Sequence, residues 1–401
     1  MRILVFTQYF WPEQFTINYL VLLLKKAGHD VEVLTGKPNY PKGEFFTGYK
    51  FFPATKESWN DITINRVPLV ARGKESRLGL FINYISFILF AAFIAPWMLR
   101  RKEYDTIFVY APSPVLQALP AILLGKLKKV PVILWVQDLW PESLSATEHV
   151  KSSLILSAVR YLVKFCYSHV DLILVQSKAF IEPVKKLAIG KRVEYFPNTV
   201  DSNFYNLKNK KSPLIHSLNT GFSILFAGNI GNAQSMETIV EASLILQKYS
   251  DIKIVVVGSG SKLDWVFEQK KLRNLNNLHL EGHFPVDVMP SIMRSASVLL
   301  VSLKDNPILD LTVPNKIQAY LATGKPIIAS LNGEGARIVV ESGAGLAIPA
   351  EDAQALANAI LKLYKMSENE LAAMADNGRK YFKKNFDEHV LITKLVELLK
   401  L

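Results

Sequence analysis

The strongest constraint on the fold is an alternation of strand and helix patterns that runs along the chain and then starts again. The chain opens with a short apolar run at residues 2–6, followed by a helical pattern over residues 16–27 that stops at Gly28. A second strand pattern follows at residues 29–35. Strand, helix and strand in this order predict a parallel sheet with helices on both faces. The chain is therefore expected to have an α/β fold.

The same alternation predicts two units. Further strand patterns lie at 106–110, 132–136 and 172–176, and, after a polar segment at 197–213, at 222–227, 252–258, 298–302 and 326–330. A chain of 401 residues is long enough for two doubly wound domains. We predict an N-terminal domain over 1–200, a linker over 201–220 and a C-terminal domain over 221–385.

Charge is concentrated in the N-terminal half. The net charge of the chain is +12, and residues 1–200 hold 25 basic against 15 acidic residues, whereas residues 201–401 hold 22 against 20. Such an excess indicates a membrane surface, a phosphorylated substrate or nucleic acid as a partner. Nucleic acid is disfavoured because no motif of a nucleic-acid-binding module occurs. The single cysteine, Cys166, excludes an intrachain disulfide and a four-thiolate zinc site.

One apolar stretch is long enough to cross a bilayer. Residues 78–99 form 22 positions without a charge, interrupted by Asn83, Ser86 and Pro96. Basic residues flank both ends, namely Arg72, Lys74, Arg77, Arg100, Arg101 and Lys102. Three interpretations stay open: a helix buried in the domain, a helix lying in the plane of an anionic membrane, and a true span. A span is the least favoured, since it would separate the two halves of one sheet.

Candidate site residues in the N-terminal half follow predicted strands, because ligands of doubly wound sheets lie at the carboxyl ends of the strands. Gln14 and Thr16 follow the first strand, Tyr40 follows the second, and Asp138 and Glu142 follow the strand at 132–136. Asp138 is the candidate catalytic carboxylate, for orienting a hydroxyl or transferring a proton. The alternative is a purely structural role, in which Asp138 caps the helix that follows it.

A phosphate site is predicted in the C-terminal half. Pro314 suits the first turn of a helix, and Asn315 and Lys316 come next. The free N–H groups of a helix N-terminus attract phosphate, and Lys316 adds a full positive charge.

Several segments together resemble glycosyltransferase family 4. Residues 195–201, Tyr-Phe-Pro-Asn-Thr-Val-Asp, resemble that family's Pro-Asn-Gly-Val-Asp segment, with Thr199 in place of glycine. The loop at 226–231, the segments at 281–286 and 311–326, and the glycine-rich stretches at 333–337 and 341–346 match further family positions. The resemblance implies a GT-B fold, in which two Rossmann-like doubly wound domains face each other across a cleft. It also implies that residues 386–401 form a helix that crosses back to the N-terminal domain.

The resemblance also implies the donor site. Its residues are expected to be Gly228, Asn229, Gln234, Phe284, Asp310, Pro314, Asn315, Glu334 and Arg337, with Lys316 catalytic. Three positions depart from the family pattern. Asn229 stands where the family usually has arginine, Gln234 or Ser235 where it has lysine, and Ala319 where it has the glutamate that holds the ribose. Arg337 and Lys304 are candidates for the missing positive charge, and Asp310 for the first of the family's two glutamates.

The implied reaction is transfer of a sugar from a UDP-sugar with retention of configuration, without a metal or another cofactor. The motif combination resembles bacterial surface-polysaccharide enzymes, including transferases of N-acetyl-L-fucosamine to undecaprenyl-linked saccharides of O-antigen or capsule. The expected partners are a nucleotide sugar, a lipid-linked saccharide acceptor and an anionic membrane surface, and the expected location is the inner face of the bacterial plasma membrane. The alternatives are a UDP-sugar epimerase of the same fold and a non-catalytic scaffold that binds glycan or lipid.

Overall fold

The computed structural model describes residues 1–73, 77–146, 152–205 and 215–401. The chain divides into two compact units. The first comprises Met1–Thr199 together with Glu388–Leu401, and the second comprises Val200–Asp387. Each unit is built around its own sheet.

The first unit contains a sheet of eight strands, in the order β3-β4-β2-β1-β5-β6-β7-β8. Its strands are β1 (Arg2–Phe6), β2 (Asp30–Gly36), β3 (Thr55–Trp59), β4 (Ile62–Val67), β5 (Thr106–Ala111), β6 (Val132–Val136), β7 (Leu172–Val175) and β8 (Val193–Tyr195). Its helices before the second unit are α1 (Thr16–Lys26), α2 (Arg77–Met98), α3 (Ala118–Lys128), α4 (Glu142–Ala146), α5 (Ser153–Ser168) and α6 (Ile181–Leu187). All neighbouring strands are parallel except β3 and β4.

The second unit contains a wholly parallel sheet of six strands, in the order β11-β10-β9-β12-β13-β14. The strands are β9 (Phe222–Ala227), β10 (Ile252–Val257), β11 (Leu278–Gly282), β12 (Val298–Ser302), β13 (Ile327–Ser330) and β14 (Gly345–Ile348). The helices are α7 (His216–Asn219), α8 (Met236–Leu246), α9 (Leu263–Leu272), α10 (Met289–Ser295), α11 (Pro307–Leu311), α12 (Asn315–Thr323), α13 (Gly333–Glu341), α14 (Ala353–Tyr364) and α15 (Glu368–Asn385). The last helix of the chain, α16 (Glu388–Leu398), belongs to the first unit.

The α/β prediction is confirmed, because both sheets are doubly wound. The strand order reverses between β2 and β5 around β1, and between β10 and β12 around β9. These are the places where ligands of such sheets bind, at the carboxyl ends of the strands. The predicted strands all exist, and the structure adds β3, β4, β8, β11 and β14.

The segment predicted as a linker, residues 201–220, has a different organisation. Its described parts hold a 3₁₀ turn at Ser202–Phe204 and helix α7, and both belong to the second unit. Residues 206–214 lie outside the described residues. The boundary falls at Thr199 and Val200, because Val200 and Leu218 already pack in the hydrophobic core of the second unit.

The apolar stretch forms α2, which lies against the first unit along one stripe. Phe87, Ala91 and Ala95 are fully buried on that stripe, with the spacing of one helix face. The opposite side exposes large apolar residues: Leu78, Phe81, Ile82, Leu89, Phe93 and Trp97. We call these six residues the outer face of α2. In the described part of the chain α2 is long and apolar enough to cross a membrane by length and composition.

Candidate active site

The donor side of the site is built on the loop after β9. Gly228, directly after this strand, has a positive φ of 132° and lies against Lys316. A Cβ atom at Gly228 would come within 2.7 Å of Lys316 Cε, and one at Gly258 within 1.8 Å of the Gly228 carbonyl oxygen. Glycine is required at Gly228 because of its positive φ, and at Gly258 because its φ is also positive and a Cβ atom would clash with the Gly228 backbone.

Lys316 is the central charged group of the second unit. It is the second residue of α12, its Nζ donates to Gln234 Oε1 at 2.7 Å, and it lies 3.9 Å from the centre of the Phe226 ring. No carboxylate among the described residues forms a salt bridge with it. Burial lowers the pKa of Lys316 to about 7. The arrangement is an ammonium without an acidic partner at a helix N-terminus, which suits an anionic ligand.

Asn229 and Gln234 occupy the positions at which the family pattern has arginine and lysine. Gln234 ends the 3₁₀ turn Asn232–Gln234 and contacts Lys316 directly. The amide of Asn229 folds over its own loop, because a Cβ atom at Gly231 would lie 2.6 Å from its Nδ2 atom. Both side chains are neutral, so this loop carries no positive charge at these two positions, and Lys316 of α12 contacts it from outside.

Two other cations are held by acidic partners. Arg337 donates Nε and Nη2 to the two carboxylate oxygens of Glu334, each at 2.8 Å, and also pairs with Glu341. Lys304 lies 4.0 Å from Glu237, which also pairs with Lys262 at 2.9 Å. Arg337 is therefore paired with two carboxylates, whereas Lys304 shares the single carboxylate of Glu237 with Lys262. That either cation supplies the missing positive charge stays a prediction.

A second cluster of predicted residues forms around the start of α13. Gly333 has a φ of +69°, and a Cβ atom there would lie 2.0 Å from the carbonyl oxygen of Asp310. Gly335 lies against Pro314, where a Cβ atom would be 3.3 Å from Pro314 Cδ. Burial and the nearby Asp305 raise the pKa of the Asp310 carboxyl. The structure therefore brings Asp310, Pro314 and the Glu334 turn together.

The burial of three further positions of the second unit, Phe284, Asn315 and Ala319, differs. Phe284 is half-buried and packs against the hydrophobic core of the second unit. Asn315 is exposed at the first position of α12. Ala319, at the position of the family's ribose-binding glutamate, packs partly buried against the same core. The structure thus offers no acid at position 319.

In the first unit, Asp138 follows β6 and contacts the start of α4, so both its catalytic and its capping interpretation stay open. It accepts a short hydrogen bond from the Ser143 hydroxyl in α4. Burial raises the pKa of the Asp138 carboxyl, while Ser143, the Trp140 side chain and the Leu139 backbone favour its ionised form. A partly desolvated carboxylate at the end of a central strand can orient a hydroxyl and accept its proton.

A polar network that the sequence analysis did not assign lies at the reversal point of this sheet. The Gln8 Nε2 donates to Asn83 Oδ1 at 2.7 Å, and the Asn83 Nδ2 donates to the Val70 carbonyl at 2.6 Å. Tyr84, also on α2, hydrogen-bonds with Ser113 and Tyr9, and burial raises its pKa. The signal in the sequence was the polar pair Asn83 and Ser86 inside an otherwise apolar helix.

Glu13 is a second missed residue. It is 1% exposed, and its carboxylate accepts backbone N–H groups of Phe10, Asn39 and Tyr40 at 3.2, 2.8 and 2.8 Å. Burial raises the pKa of Glu13 to about 7, against the effect of these hydrogen bonds. Glu13 therefore fixes the loop after β2, which carries Tyr40.

The remaining predicted residues of this unit lie around that loop. Tyr40 is 38% exposed and packs against Tyr9, Phe15 and the guanidinium of Arg72, at ring or cation distances of 5.9, 5.3 and 5.2 Å. Thr16 is the first residue of α1, and its side chain hydrogen-bonds with Tyr110.

Two further predicted residues of this unit are Gln14 and Glu142. Gln14 is exposed beside α1, and Glu142, the first residue of α4, pairs with Arg160 at 3.4 Å. Among the described residues no group of three His, Cys, Asp or Glu side chains is placed to hold a metal ion. A metal-independent reaction remains a prediction.

Each unit matches a glycosyltransferase family model. Residues 14–199 match the glycosyl transferase 4-like domain, and residues 221–366 match glycosyl transferases group 1. The chain therefore belongs to the family 4 glycosyltransferases. It is 25% identical, over 81% of its length and 82% of the relative, to the putative colanic acid biosynthesis glycosyl transferase WcaI of Escherichia coli K12.

Solved structures share the whole fold. Sucrose-phosphate synthase of Thermosynechococcus elongatus aligns with a TM-score of 0.75 at 15% identity, covering 99% of this chain and 98% of that one. Anabaena HepE in complex with UDP aligns with a TM-score of 0.69 at 15% identity, covering 100% and 99%. An α,α-trehalose-phosphate synthase (UDP-forming) of Burkholderia xenovorans aligns at 0.72 with 12% identity, covering 100% of both. The fold is therefore GT-B.

Proposed function

We propose that this glycosyltransferase moves a sugar from a UDP-sugar to a saccharide carried on undecaprenyl diphosphate, with retention of configuration. The reaction would take place at the inner face of the bacterial plasma membrane, during synthesis of a surface polysaccharide such as O-antigen or capsule. N-acetyl-L-fucosamine is the candidate sugar. The proposal concerns donor, acceptor and place, whereas the class of enzyme is given by the family.

The observation that carries the donor assignment is Lys316. Its ammonium has no acidic partner among the described residues, and it lies beside Gly228 at the N-terminus of α12. A diphosphate there would gain the lysine charge and the free N–H groups of the helix. Support for UDP comes from fold relatives that were solved with UDP or are described as UDP-forming.

In the proposed reaction the leaving diphosphate takes up the proton of the attacking hydroxyl. Lys316 stabilises the negative charge that grows on the diphosphate, and it does so best in the transition state, where that charge is largest. Asp138 orients the acceptor hydroxyl by accepting a hydrogen bond from it, while the proton itself goes to the leaving diphosphate.

Support for a membrane-bound acceptor comes from the first unit. The outer face of α2 is exposed, and Arg100, Arg101 and Lys102 follow the helix. An apolar helix face with basic flanks suits an anionic lipid surface. The E. coli relative is named for colanic acid biosynthesis, which supports a role in surface polysaccharide assembly.

The test begins with the donor. A panel of UDP-sugars that includes UDP-N-acetyl-L-fucosamine is screened by thermal shift, and transfer from the best stabiliser to an undecaprenyl-diphosphate saccharide is then measured. Lys316→Ala should lower kcat by about 10²–10³, the usual loss on removal of one electrostatic stabiliser. Lys362→Ala, an exposed lysine of α14, is the matched control.

Near-wild-type turnover of Lys316→Ala would contradict the assignment of this lysine. Formation of an epimer from UDP-sugar alone, without an acceptor, would favour the epimerase. Absence of binding to every nucleotide in the panel would favour the non-catalytic scaffold.

A further inference from the structure

An apolar groove of about 170 Å³ opens in the first unit between α2, α4 and α5. Ile85 and Ile88 of α2 form one wall, and Ile155 and Val159 of α5 form the other. Tyr84 and Trp140 also line it. The lining is apolar apart from the polar tips of these two aromatic residues, so the groove suits a hydrocarbon chain and not a sugar.

One part of the groove borders the candidate acceptor site. The Trp140 side chain interacts with the Asp138 carboxylate, and the Asp138 charge acts on the Tyr84 hydroxyl. Tyr84 in turn hydrogen-bonds with Tyr9 and Ser113 at the reversal point of the sheet. A ligand in the groove can therefore place a polar end beside Asp138.

A cation lies beside the same polar part. The positive charge of Arg72 acts on both Tyr9 and Tyr84 and stabilises their ionised forms. Its guanidinium lies over the Tyr40 ring, and no carboxylate among the described residues forms a salt bridge with it. An uncompensated guanidinium there is complementary to a phosphate group.

Another part of the groove is open to the outside. Phe81 and Ile155 line it and are 61% and 52% exposed. They adjoin exposed Leu78 and Leu154. A chain that leaves the groove on this side meets apolar side chains, which is the environment expected at a lipid surface.

We infer that this groove holds the first isoprenoid units of a polyprenyl diphosphate, with the diphosphate near Arg72 and the remaining chain running out past Phe81 and Ile155. The inference rests on the proposed lipid-linked acceptor and names the part of the chain that recognises the lipid. It requires an occupant that is apolar along its length and anionic at one end, and a polyprenyl diphosphate has both properties.

The test uses farnesyl diphosphate, which carries the chain and the diphosphate but no saccharide, with the full-length protein. Ile155→Asp puts a charge into the groove, and Ile189→Asp makes the same exchange at a 75% exposed position of the first unit outside the lining. We expect Ile155→Asp to raise the Kd by about tenfold or more and Ile189→Asp by less than about twofold, because a carboxylate next to a bound hydrocarbon loses its hydration.

The binding should need both ends of the ligand. Inorganic diphosphate and farnesol should each bind more weakly than farnesyl diphosphate, and a benzophenone on the farnesyl chain should crosslink to α2 or α5. Equal effects of the two aspartates, crosslinks confined to other segments, or crosslinks joining two copies of the chain would overturn the inference. Folding of the first unit in Ile155→Asp is verified by hydrogen exchange in α1, which should match the wild type, and unchanged stabilisation by UDP verifies the second unit.

The outcome separates the two proposals. If farnesyl diphosphate binds as described but no sugar is transferred to a lipid-linked saccharide, the groove stands and the proposed acceptor fails. If transfer occurs and Ile155→Asp leaves the KM for the lipid-linked acceptor unchanged, the groove assignment fails and the proposed function stands.

Discussion

At the scale of single residues, the donor site depends on one lysine whose environment opposes its own charge. The second unit surrounds Lys316 with Gly228, Gln234 and the Phe226 ring, and burial lowers its pKa to about 7. Burial destabilises the ammonium in the free protein, and a bound anion stabilises it. Arg337, by contrast, is already neutralised by Glu334 and has less to gain from a ligand.

This environment predicts that UDP binding takes up a proton. At pH 8 Lys316 is mostly neutral in the free protein, because its pKa is about 7. A bound diphosphate favours the ammonium and raises that pKa, so binding should absorb up to about one proton and weaken as the pH rises from 7 to 9. Calorimetry at pH 8 in Tris and in HEPES, whose ionisation enthalpies differ, measures the uptake.

Lys316→Met should bind UDP without this uptake. The same uptake in the variant would assign the proton to another group.

The lowered pKa of Lys316 also makes the folding stability depend on pH. The folded pKa lies below the unfolded value near 10.5, so the unfolded state holds more protons between pH 7 and 10.5. The lysine therefore lowers stability most below pH 7, and its penalty fades as the pH rises through that window.

At the scale of elements, α2 shows why hydropathy did not decide among its three interpretations. The helix is neither wholly buried nor free of the domain. One stripe packs on the first unit through Phe87 and Ala91, and the outer face is exposed. The polar residues Asn83 and Ser86 hydrogen-bond with Gln8 and the Val70 backbone. A mean hydropathy cannot separate these faces, because it averages the buried stripe, the two polar residues and the exposed outer face.

The exposed side predicts membrane binding. The double variant Phe93→Asp/Trp97→Asp changes two residues that are 79% and 68% exposed and distant from the polar network in sequence. It should weaken binding to anionic liposomes by about tenfold or more, since it replaces two interfacial aromatic rings with negative charges. Co-sedimentation at low salt measures the effect, and added salt should release the wild-type protein.

Phe267→Asp, at a 61% exposed position of α9 in the second unit, is the matched control and should bind like the wild type. Wild-type protein that stays in the supernatant at low salt would remove the membrane from the proposed function.

Strands were predicted well where they are buried on both faces, as in β1, β6 and β9, because such strands are continuous apolar runs. The missed strands lie towards the edges of the two sheets. β3, for example, reads Thr-Lys-Glu-Ser-Trp and pairs only with β4. Its pairing is decided by a neighbouring strand and leaves little trace in its own residues.

At the scale of the whole molecule, the chain returns to its first unit at the end. Leu391 and Leu395 of α16 pack in the core of that unit with Ile17 and Leu20. The Lys394 Nζ donates to the Tyr195 carbonyl at 2.6 Å, and Glu388 bonds the Tyr19 hydroxyl. The last residues of the chain are therefore part of the N-terminal domain's stability.

Leu395→Ala should destabilise the first unit by about 2–5 kcal/mol, the usual cost of a large-to-small change in a core. Hydrogen exchange should accelerate in α1 and leave α8 of the second unit unchanged. Val390→Ala, at a 44% exposed position of the same helix, should change neither. Faster exchange in α8 than in α1 would show that α16 supports the second unit instead.

The sequence by itself determined the class of fold, the two-domain plan and the positions of Lys316 and Asp138. These depend on local information, namely apolar runs of strand length and polar residues directly after them. Only the tertiary structure decided which charged groups are free. Whether Arg337 or Lys316 can meet an anion depends on carboxylates brought near by folding, and the role of Asn83 depends on Gln8, which lies 75 residues away in the chain. Coulomb and hydrogen-bond energies depend on distance in space, so sequence order does not reveal them.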